Sequence, residues 1–225
     1  MGKKLIPTSR PEDWKQFLAE PDKHWKRGCS ARALAHCWHA ADGIPGDVET
    51  VLTQAAELQG LEAIFCIPEH QVPLPGGSRP SQSDIWVLGR TRRGLVSIAV
   101  EGKVSESFGP TIGEWYTDAS TGKEKRLKFL CTERGLAFPP ASNLRYQLFH
   151  RTASAIIEAK KFRASDAVMV AHTFSPTDEW FSDYQAFLRI FGLTAVVNGI
   201  SSKPLTEHVH LRFAWVHGAS EWLQA

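Results

Sequence analysis

The sequence predicts a mixed α/β (α+β) fold, in which helices flank one mixed β-sheet and an extra helical segment precedes it. Two apolar runs joined by a short basic turn, within residues 84–103, are typical of a β-hairpin. Apolar residues recur with helical spacing over residues 143–162. Between residues 47 and 174 the predicted order is helix, strand, strand, strand, helix, strand, which implies a mixed sheet.

The composition fits one domain with a sizeable core. The chain has 225 residues, of which 43% are hydrophobic, and its net charge of +2 is the difference between 26 basic and 24 acidic residues. This near balance favours no nucleic-acid partner through overall charge, so a nucleic-acid surface has to be a local patch. No apolar run approaches the roughly 20 residues that span a bilayer, so no membrane partner is expected. Four dispersed cysteines are typical of a cytoplasmic protein.

We interpret residues 1–225 as a single domain with three parts. These parts are an N-terminal helical extension (1–46), a core (47–174) and a C-terminal helix with strands (175–225). Within the first part, Pro11 begins a short helix and Ser30 caps a second helix over residues 31–41. The core opens with a helix over residues 47–59, which has one apolar face and ends at Gly60.

The middle of the chain alternates strands with short helices. Residues 61–68 read as a strand, and the hairpin of residues 84–103 follows a region rich in Pro, Gly and Ser. Residues 112–116 and 128–135 are each compatible with a helix, on either side of a polar loop over residues 117–125. A long amphipathic helix then occupies residues 143–162.

The last third of the chain predicts one more helix and three strands. Residues 167–174 form a buried strand, and residues 176–191 form an amphipathic helix. Residues 193–197 and 209–216 read as closing strands. No internal repeat and no low-complexity segment is present.

Charged residues at the ends of the hairpin form a candidate site. Alternation along a strand places Glu101 and Lys103 on one face. If Arg90 pairs with Leu95, Asp84 lies opposite Glu101, with Cβ atoms about 4.5–5.5 Å apart. Two carboxylates that close require a cation or a proton between them. A hard ion such as Mg²⁺ binds carboxylates and keeps several waters, and a neighbouring Lys can stabilise developing phosphate charge.

Two other interpretations of the hairpin stay open at this point. A three-residue loop with a bulge at Gly94 would place Asp84 opposite Gly102 and weaken the site. Alternatively, Asp84 only caps the entry to its strand, and Glu101 forms a surface ion pair with Lys103.

Asp84, sixteen intervening residues and then Glu101-Gly102-Lys103 at the end of an apolar strand resemble the signature of the PD-(D/E)XK nuclease superfamily. The order of elements also resembles the core of that superfamily over about half of the chain, which implies a restriction-endonuclease-like fold. Ser83 stands where the signature has Pro. The resemblance implies that Asp84 and Glu101 bind Mg²⁺ or Mn²⁺ and that Lys103 helps to activate the hydrolytic water.

The resemblance also implies further site residues. Many members of the superfamily add a metal-binding acid from the first core helix, where Glu49 is better placed than Glu57. Some members add a Gln from the helix that follows the third strand, and Gln147 is the candidate here. By this resemblance the metal ligands are Asp84, Glu101 and Glu49, and Gln147 joins the catalytic group.

The function expected from these residues is metal-dependent hydrolysis of phosphodiester bonds in DNA or RNA. The alternative is a catalytically inactive nuclease-like fold that binds nucleic acid or protein. Three basic clusters are candidate phosphate-binding surfaces: Lys123, Lys125, Arg126 and Lys128; Lys160, Lys161 and Arg163; and Arg90, Arg92 and Arg93. A homodimer would complete a basic groove that one chain lacks.

Overall fold

A computed structural model describes residues 3–4, 8–41 and 43–225; the other residues of the predicted N-terminal extension lie outside this description. Seven strands form one mixed sheet with the order β1-β2-β3-β4-β5-β7-β6. The strands are β1 (Lys3–Lys4), β2 (Glu62–Val72), β3 (Ser81–Thr91), β4 (Gly94–Lys103), β5 (Asp166–Thr173), β6 (Gly199–Pro204) and β7 (His210–His217). Strands β2 to β4 are antiparallel, whereas β4, β5 and β7 are parallel. The predicted mixed sheet is confirmed.

Helices cover both faces of this sheet. They are α1 (Pro21–His24), α2 (Ser30–Ala40), α3 (Gly46–Leu52), α4 (Ile112–Trp115), α5 (Thr121–Thr132), α6 (Tyr146–Phe162) and α7 (Phe181–Arg189), with 3₁₀ helices at Pro11–Phe17, Ala56–Leu58 and Ser220–Leu223. The α2 helix begins at Ser30, so Ser30 is its first residue and Cys29 is the residue before it, which corrects the predicted cap.

Two hydrophobic cores form because β4 and β5 are apolar on both faces. Ala99 and Met169 face α5, α6 and α7 in one core. Ile98 and Val170 face α2 and α3 in the other. Glu101 follows Ala99 by two residues, so it lies on the α6 side of the sheet.

The hairpin confirms the first of the two predicted registers. Arg90 pairs with Leu95 and Thr91 with Gly94, which leaves a two-residue turn of Arg92 and Arg93. The alternative three-residue loop at Gly94 is therefore wrong. The backbone φ of Gly94 is +146°, a value that a residue with a Cβ rarely adopts.

The helix predicted over residues 47–59 is wrong in its second half. The α3 helix ends at Leu52, and a 3₁₀ turn over Ala56–Leu58 follows. The Thr53 hydroxyl donates a hydrogen bond of 2.8 Å to the Glu49 carbonyl. Such side-chain bonds compete with the helical ladder, and Leu58 still reaches the core from the 3₁₀ turn.

The helix predicted over residues 128–135 begins earlier, at Thr121, inside the predicted polar loop. The Ser120 hydroxyl caps it by accepting a hydrogen bond from the backbone nitrogen of Lys123. Its first half is polar, and Glu124 forms an ion pair with Lys128 at the i, i+4 spacing. Apolar periodicity does not detect such a segment.

The predicted C-terminal elements also require corrections. The α7 helix begins five residues after Pro176, because Asp178 and Trp180 adopt positive φ values of 51° and 67°. Residues 193–197 do not form a strand: Val197 makes only an isolated bridge, and Val196 is 56% exposed. The edge strand is the more polar β6, which pairs with β7.

Candidate functional site

The sheet divides between β3 and β4, and the candidate site lies at this division. The ladder between these strands ends at the pair Ile85–Val100. Beyond it, β3 continues to pair with β2 and β4 continues to pair with β5. The Asp84 carboxylate lies in the gap, where Oδ2 accepts a hydrogen bond of 2.7 Å from the backbone nitrogen of Gly102.

Three carboxylates follow one another across three neighbouring strands. The pairs Pro68–Ile85 and His70–Ser83 place Glu69 of β2 opposite Asp84 of β3. Continuation of the hairpin register beyond Ile85 places Asp84 opposite Glu101 of β4. We call Glu69, Asp84 and Glu101 the carboxylate row.

The carboxylate row lines a cleft of about 610 Å³. The α6 helix forms one wall of this cleft, and the segment from Leu18 to Ala31 forms another. The polar lining near the row consists of Gln82, Lys103, Glu106, Gln147 and Arg151. The structure therefore brings four predicted site residues to one cleft: Asp84, Glu101, Lys103 and Gln147.

Glu101 is the most heavily bonded member of the row. It is 3% exposed, and both of its carboxylate oxygens are engaged. Oε1 accepts hydrogen bonds from Lys103 Nζ at 2.6 Å and from Gln147 Nε2 at 2.7 Å. Oε2 accepts a hydrogen bond from Arg151 Nε. Burial alone would raise the pKa of Glu101, but Arg151 and Lys103 outweigh it and the pKa lies below its ordinary range.

The other two acids have the opposite behaviour. Burial, followed by the charge of Glu101, raises the pKa of Asp84 to about 7. Burial and the charge of Asp84 raise the pKa of Glu69 to about 8, although its carboxylate accepts a hydrogen bond of 2.6 Å from Gln82 Nε2. Two of the three acids therefore retain protons near neutral pH, and a divalent cation bound by the row would replace these protons.

The donor atoms of this cleft fit a hard divalent ion. All of the available ligand atoms in the row are carboxylate oxygens, which Mg²⁺ and Mn²⁺ prefer. Among the described residues Gln147 Oε1 is buried without a hydrogen-bond partner, so it can accept from a metal-bound water. A Cβ on Gly102 would lie 3.3 Å from Asp84 Oδ2, so the absence of a side chain there leaves room for this carboxylate.

The prediction that a helical acid is a metal ligand requires a correction. Glu49 is exposed on α3, which packs against β6 and β7, and it does not line the cleft. The weaker candidate, Glu57, pairs instead with Arg93 and Arg212. The α3 helix packs on the face of the sheet opposite to Glu101, and neither Glu49 nor Glu57 lines the cleft.

Glu69 supplies a third carboxylate to the cleft, where the sequence predicted an acid from a helix. The predicted strand ended at Pro68, because proline interrupts most strands. The β2 strand in fact continues through Pro68 to Val72. Glu69 itself adopts a positive φ of 52°, which no sequence pattern indicated. The signal in the sequence is limited to its position one residue after a strand proline.

Arg151 was also missed as a site residue. Arg151 and Gln147 lie four residues apart on the same face of α6. Arg151 is 7% exposed and forms an ion pair with Glu101. The shared spacing with Gln147 was the available signal.

A second cluster contains Cys37, Asp47 and His172, whose potential ligand atoms lie within 4.8 Å of one another. Trp38 Nε1 donates a hydrogen bond of 3.1 Å to His172 Nδ1. The imidazole proton therefore lies on Nε2, which donates to Asp47 Oδ2 at 3.2 Å. Burial also raises the pKa of the Cys37 thiol. We interpret the cluster as a hydrogen-bonded network that joins α2, α3 and β5.

Most of the predicted basic clusters are neutralised by nearby acids. The ion pairs are Arg90–Glu62, Arg93–Glu57, Lys123–Asp118, Lys128–Glu124, Lys160–Glu133 and Lys161–Glu158. Arg126 instead donates to backbone carbonyls of residues 74, 75 and 77. These clusters therefore present less free positive charge than the sequence suggested.

None of the helices in the described residues combines the length and the apolar character that crossing a bilayer requires.

The fold and the cleft define a mixed α/β protein with a row of carboxylates where its sheet divides. Residues 7–220 match the family described as "Domain of unknown function (DUF6946)", and the chain belongs to this family. No curated protein and no solved structure matches the chain.

Proposed function

We propose that this protein is a metal-dependent hydrolase of phosphodiester bonds in DNA or RNA, with a PD-(D/E)XK-type site on a restriction-endonuclease-like fold. The observation that carries the proposal is the convergence of Asp84, Glu101 and Lys103 in one cleft at the divided hairpin. Four cysteines without disulfides suit a cytoplasmic location.

In this proposal Asp84 and Glu101 would hold Mg²⁺ or Mn²⁺, and Glu69 would be the third acid. When bound, the ion supplies a water of lowered pKa and stabilises negative charge on the phosphoryl oxygens. Gln147 Oε1 orients the attacking water by accepting one of its hydrogen bonds.

Lys103 is the group that stabilises the negative charge that develops during the reaction. Its ammonium lies 2.6 Å from Glu101 Oε1 and 5.0 Å from the centre of the Phe108 ring. Because the side chain is 3% exposed, its charge is weakly screened by solvent. Lys103 therefore stabilises the charge that grows on the phosphoryl oxygens as the water attacks phosphorus.

The direct test is cleavage of fluorescent single-stranded DNA, duplex DNA and RNA in Mg²⁺ or Mn²⁺. Asp84→Asn, Glu101→Gln and Lys103→Met should each reduce the rate by at least about 100-fold, because each removes a group that acts on the transition state. Glu49→Gln is the matched control, since it removes an acid outside the cleft and should leave the rate unchanged. Equal cleavage by wild type and Asp84→Asn would contradict the proposal.

A second candidate function is a nuclease-like fold that binds nucleic acid or protein without catalysis. It is favoured by the saturation of Glu101, since Lys103, Gln147 and Arg151 already bond both of its oxygens. It predicts binding that is indifferent to divalent ions and no cleavage of any of the three substrates. A homodimer would then be one form of the assembly, which light scattering would detect.

A further inference from the structure

Arg151 is a second buried cation in a cleft where Lys103 already supplies one. Its Nε donates to Glu101 Oε2, and Glu101 is its ion-pair partner within the described part of the chain. Its Nη1 lies 3.3 Å from Ser81 Oγ and 3.3 Å from His150 Nδ1, which are both neutral partners. Only Nε of the guanidinium therefore bonds a carboxylate, and Nη1 has neutral partners.

The two oxygens of Glu101 differ in how they are held. Lys103 and Gln147 share Oε1, whereas Arg151 alone bonds Oε2. A cation that binds Oε2 would therefore displace Arg151 from this oxygen and leave the other two bonds intact. The displaced guanidinium keeps its contacts with Ser81 and His150, so it stays in the cleft.

The cleft is net positive once a divalent cation is bound. The cation binds the ionised forms of the three acids, which together with Lys103 and Arg151 carry one net negative charge. Lys23 and Glu106, which also line the cleft, contribute opposite charges. A divalent cation brings the total to one net positive charge, so the loaded cleft attracts an anionic substrate.

We propose that Arg151 binds the anionic phosphoryl group of the substrate, and that it becomes available only when a divalent cation takes over Glu101 Oε2. The planar fork of an arginine donates two parallel hydrogen bonds to phosphate oxygens, which a lysine cannot do. The inference rests on the proposed metal-dependent function and adds an order of binding, the cation before the anion. Arg151 is thus a substrate-binding residue that stays bonded to Glu101 until the cation binds Glu101.

The test measures binding by calorimetry, first of Mg²⁺ alone and then of inorganic phosphate with and without saturating Mg²⁺. Wild-type protein should bind phosphate at least about tenfold more tightly when Mg²⁺ is present. Arg151→Gln should weaken phosphate binding in Mg²⁺ by at least about tenfold, the usual effect of losing charge-assisted hydrogen bonds. The same variant should bind Mg²⁺ alone more tightly than wild type, because the cation no longer competes with Arg151 for Glu101.

Two further variants keep the test decisive. Arg151→Lys preserves the charge without the fork and should recover only part of the phosphate affinity. Arg189→Gln removes the same kind of charge from an exposed position of α7, outside the cleft, and should behave as wild type. Circular dichroism verifies folding, which Arg151→Gln should retain because Lys103 and Gln147 still bond Glu101.

The outcomes separate this inference from the proposed function. If wild-type protein binds no divalent ion, both fail. If it binds Mg²⁺ but phosphate binds equally well without the ion, or equally well to Arg151→Gln, only the role of Arg151 is overturned. By linkage, phosphate should also tighten Mg²⁺ binding by the same factor in the wild type.

Discussion

At the residue scale, Asp84 and Glu69 make the free energy of unfolding depend on pH with a definite sign. Their ordinary pKa values are 3.8 and 4.5, and the folded protein raises them to about 7 and about 8. Between about pH 4 and pH 8 the unfolded chain has released these protons and the folded protein still binds them. The free energy of unfolding therefore falls as the pH rises through this range.

The corresponding prediction compares the wild type with the Glu69→Gln/Asp84→Asn double variant in metal-free buffer. The wild type should lose at least about 1 kcal/mol of stability relative to the double variant between pH 4 and pH 8, because two buried carboxylates become charged. Urea unfolding at each pH measures this difference, and histidines common to both proteins cancel. A difference that stays constant with pH would contradict the raised pKa values. Added Mg²⁺ should remove the loss in the wild type alone.

At the element scale, the division between β3 and β4 creates the site. Two strands that pair as far as Ile85–Val100 then separate, and the Asp84 carboxylate occupies the space where the ladder would have continued. Gly102 permits this arrangement. An added Cβ would lie 3.3 Å from Asp84 Oδ2 and 3.3 Å from the Leu34 side chain, closer than most Cβ contacts.

Gly102→Ala therefore tests the geometry of the divided strands. The methyl group should push the Asp84 carboxylate out of the gap and weaken Mg²⁺ binding by about tenfold or more, while the protein remains folded. Gly46→Ala is the matched control, because an added Cβ there meets nothing within 4 Å. Calorimetry measures the ion, and thermal unfolding measures stability. Unchanged ion affinity in Gly102→Ala would show that the gap does not position Asp84.

The elements that the sequence predicted correctly are those with a strong apolar pattern. The hairpin and α6 place Asp84, Glu101, Lys103 and Gln147, because alternation along a strand and periodicity along a helix fix which side chains share a face. The errors occur where tertiary structure overrides a local pattern. The β2 strand continues through Pro68, α5 begins among charged residues, and β6 is a largely polar edge strand.

The same reason explains the parts of the site that were missed. Glu69 depends on a positive φ beyond a strand proline, and Arg151 depends on the distance between α6 and β4. Both are properties of the folded chain and neither is a local pattern. Glu49 was predicted from the resemblance to the PD-(D/E)XK nuclease superfamily, and α3 packs on the face of the sheet opposite to Glu101, so it does not bring Glu49 to the cleft.

At the scale of the whole molecule, the basic clusters and the carboxylate row differ in how their charges are paired. Most of the basic residues expected to hold phosphates are paired with acids on the same surface. Such exposed pairs add little stability, but they remove free positive charge. The carboxylate row is different because its three acids outnumber the two cations that contact Glu101, in a partly buried place. The row is therefore the position at which an added cation is expected to bind.

The measurement that tests this account most directly is calorimetric titration of the metal-free protein with Mg²⁺ and Mn²⁺. The wild type and the Glu49→Gln control should each bind an ion, Glu69→Gln should bind it about tenfold more weakly, and Asp84→Asn/Glu101→Gln should not bind it. Circular dichroism of every variant confirms that the fold is retained. No ion binding by the wild type, or equal binding by the Asp84→Asn/Glu101→Gln variant, would contradict the carboxylate row as a metal site.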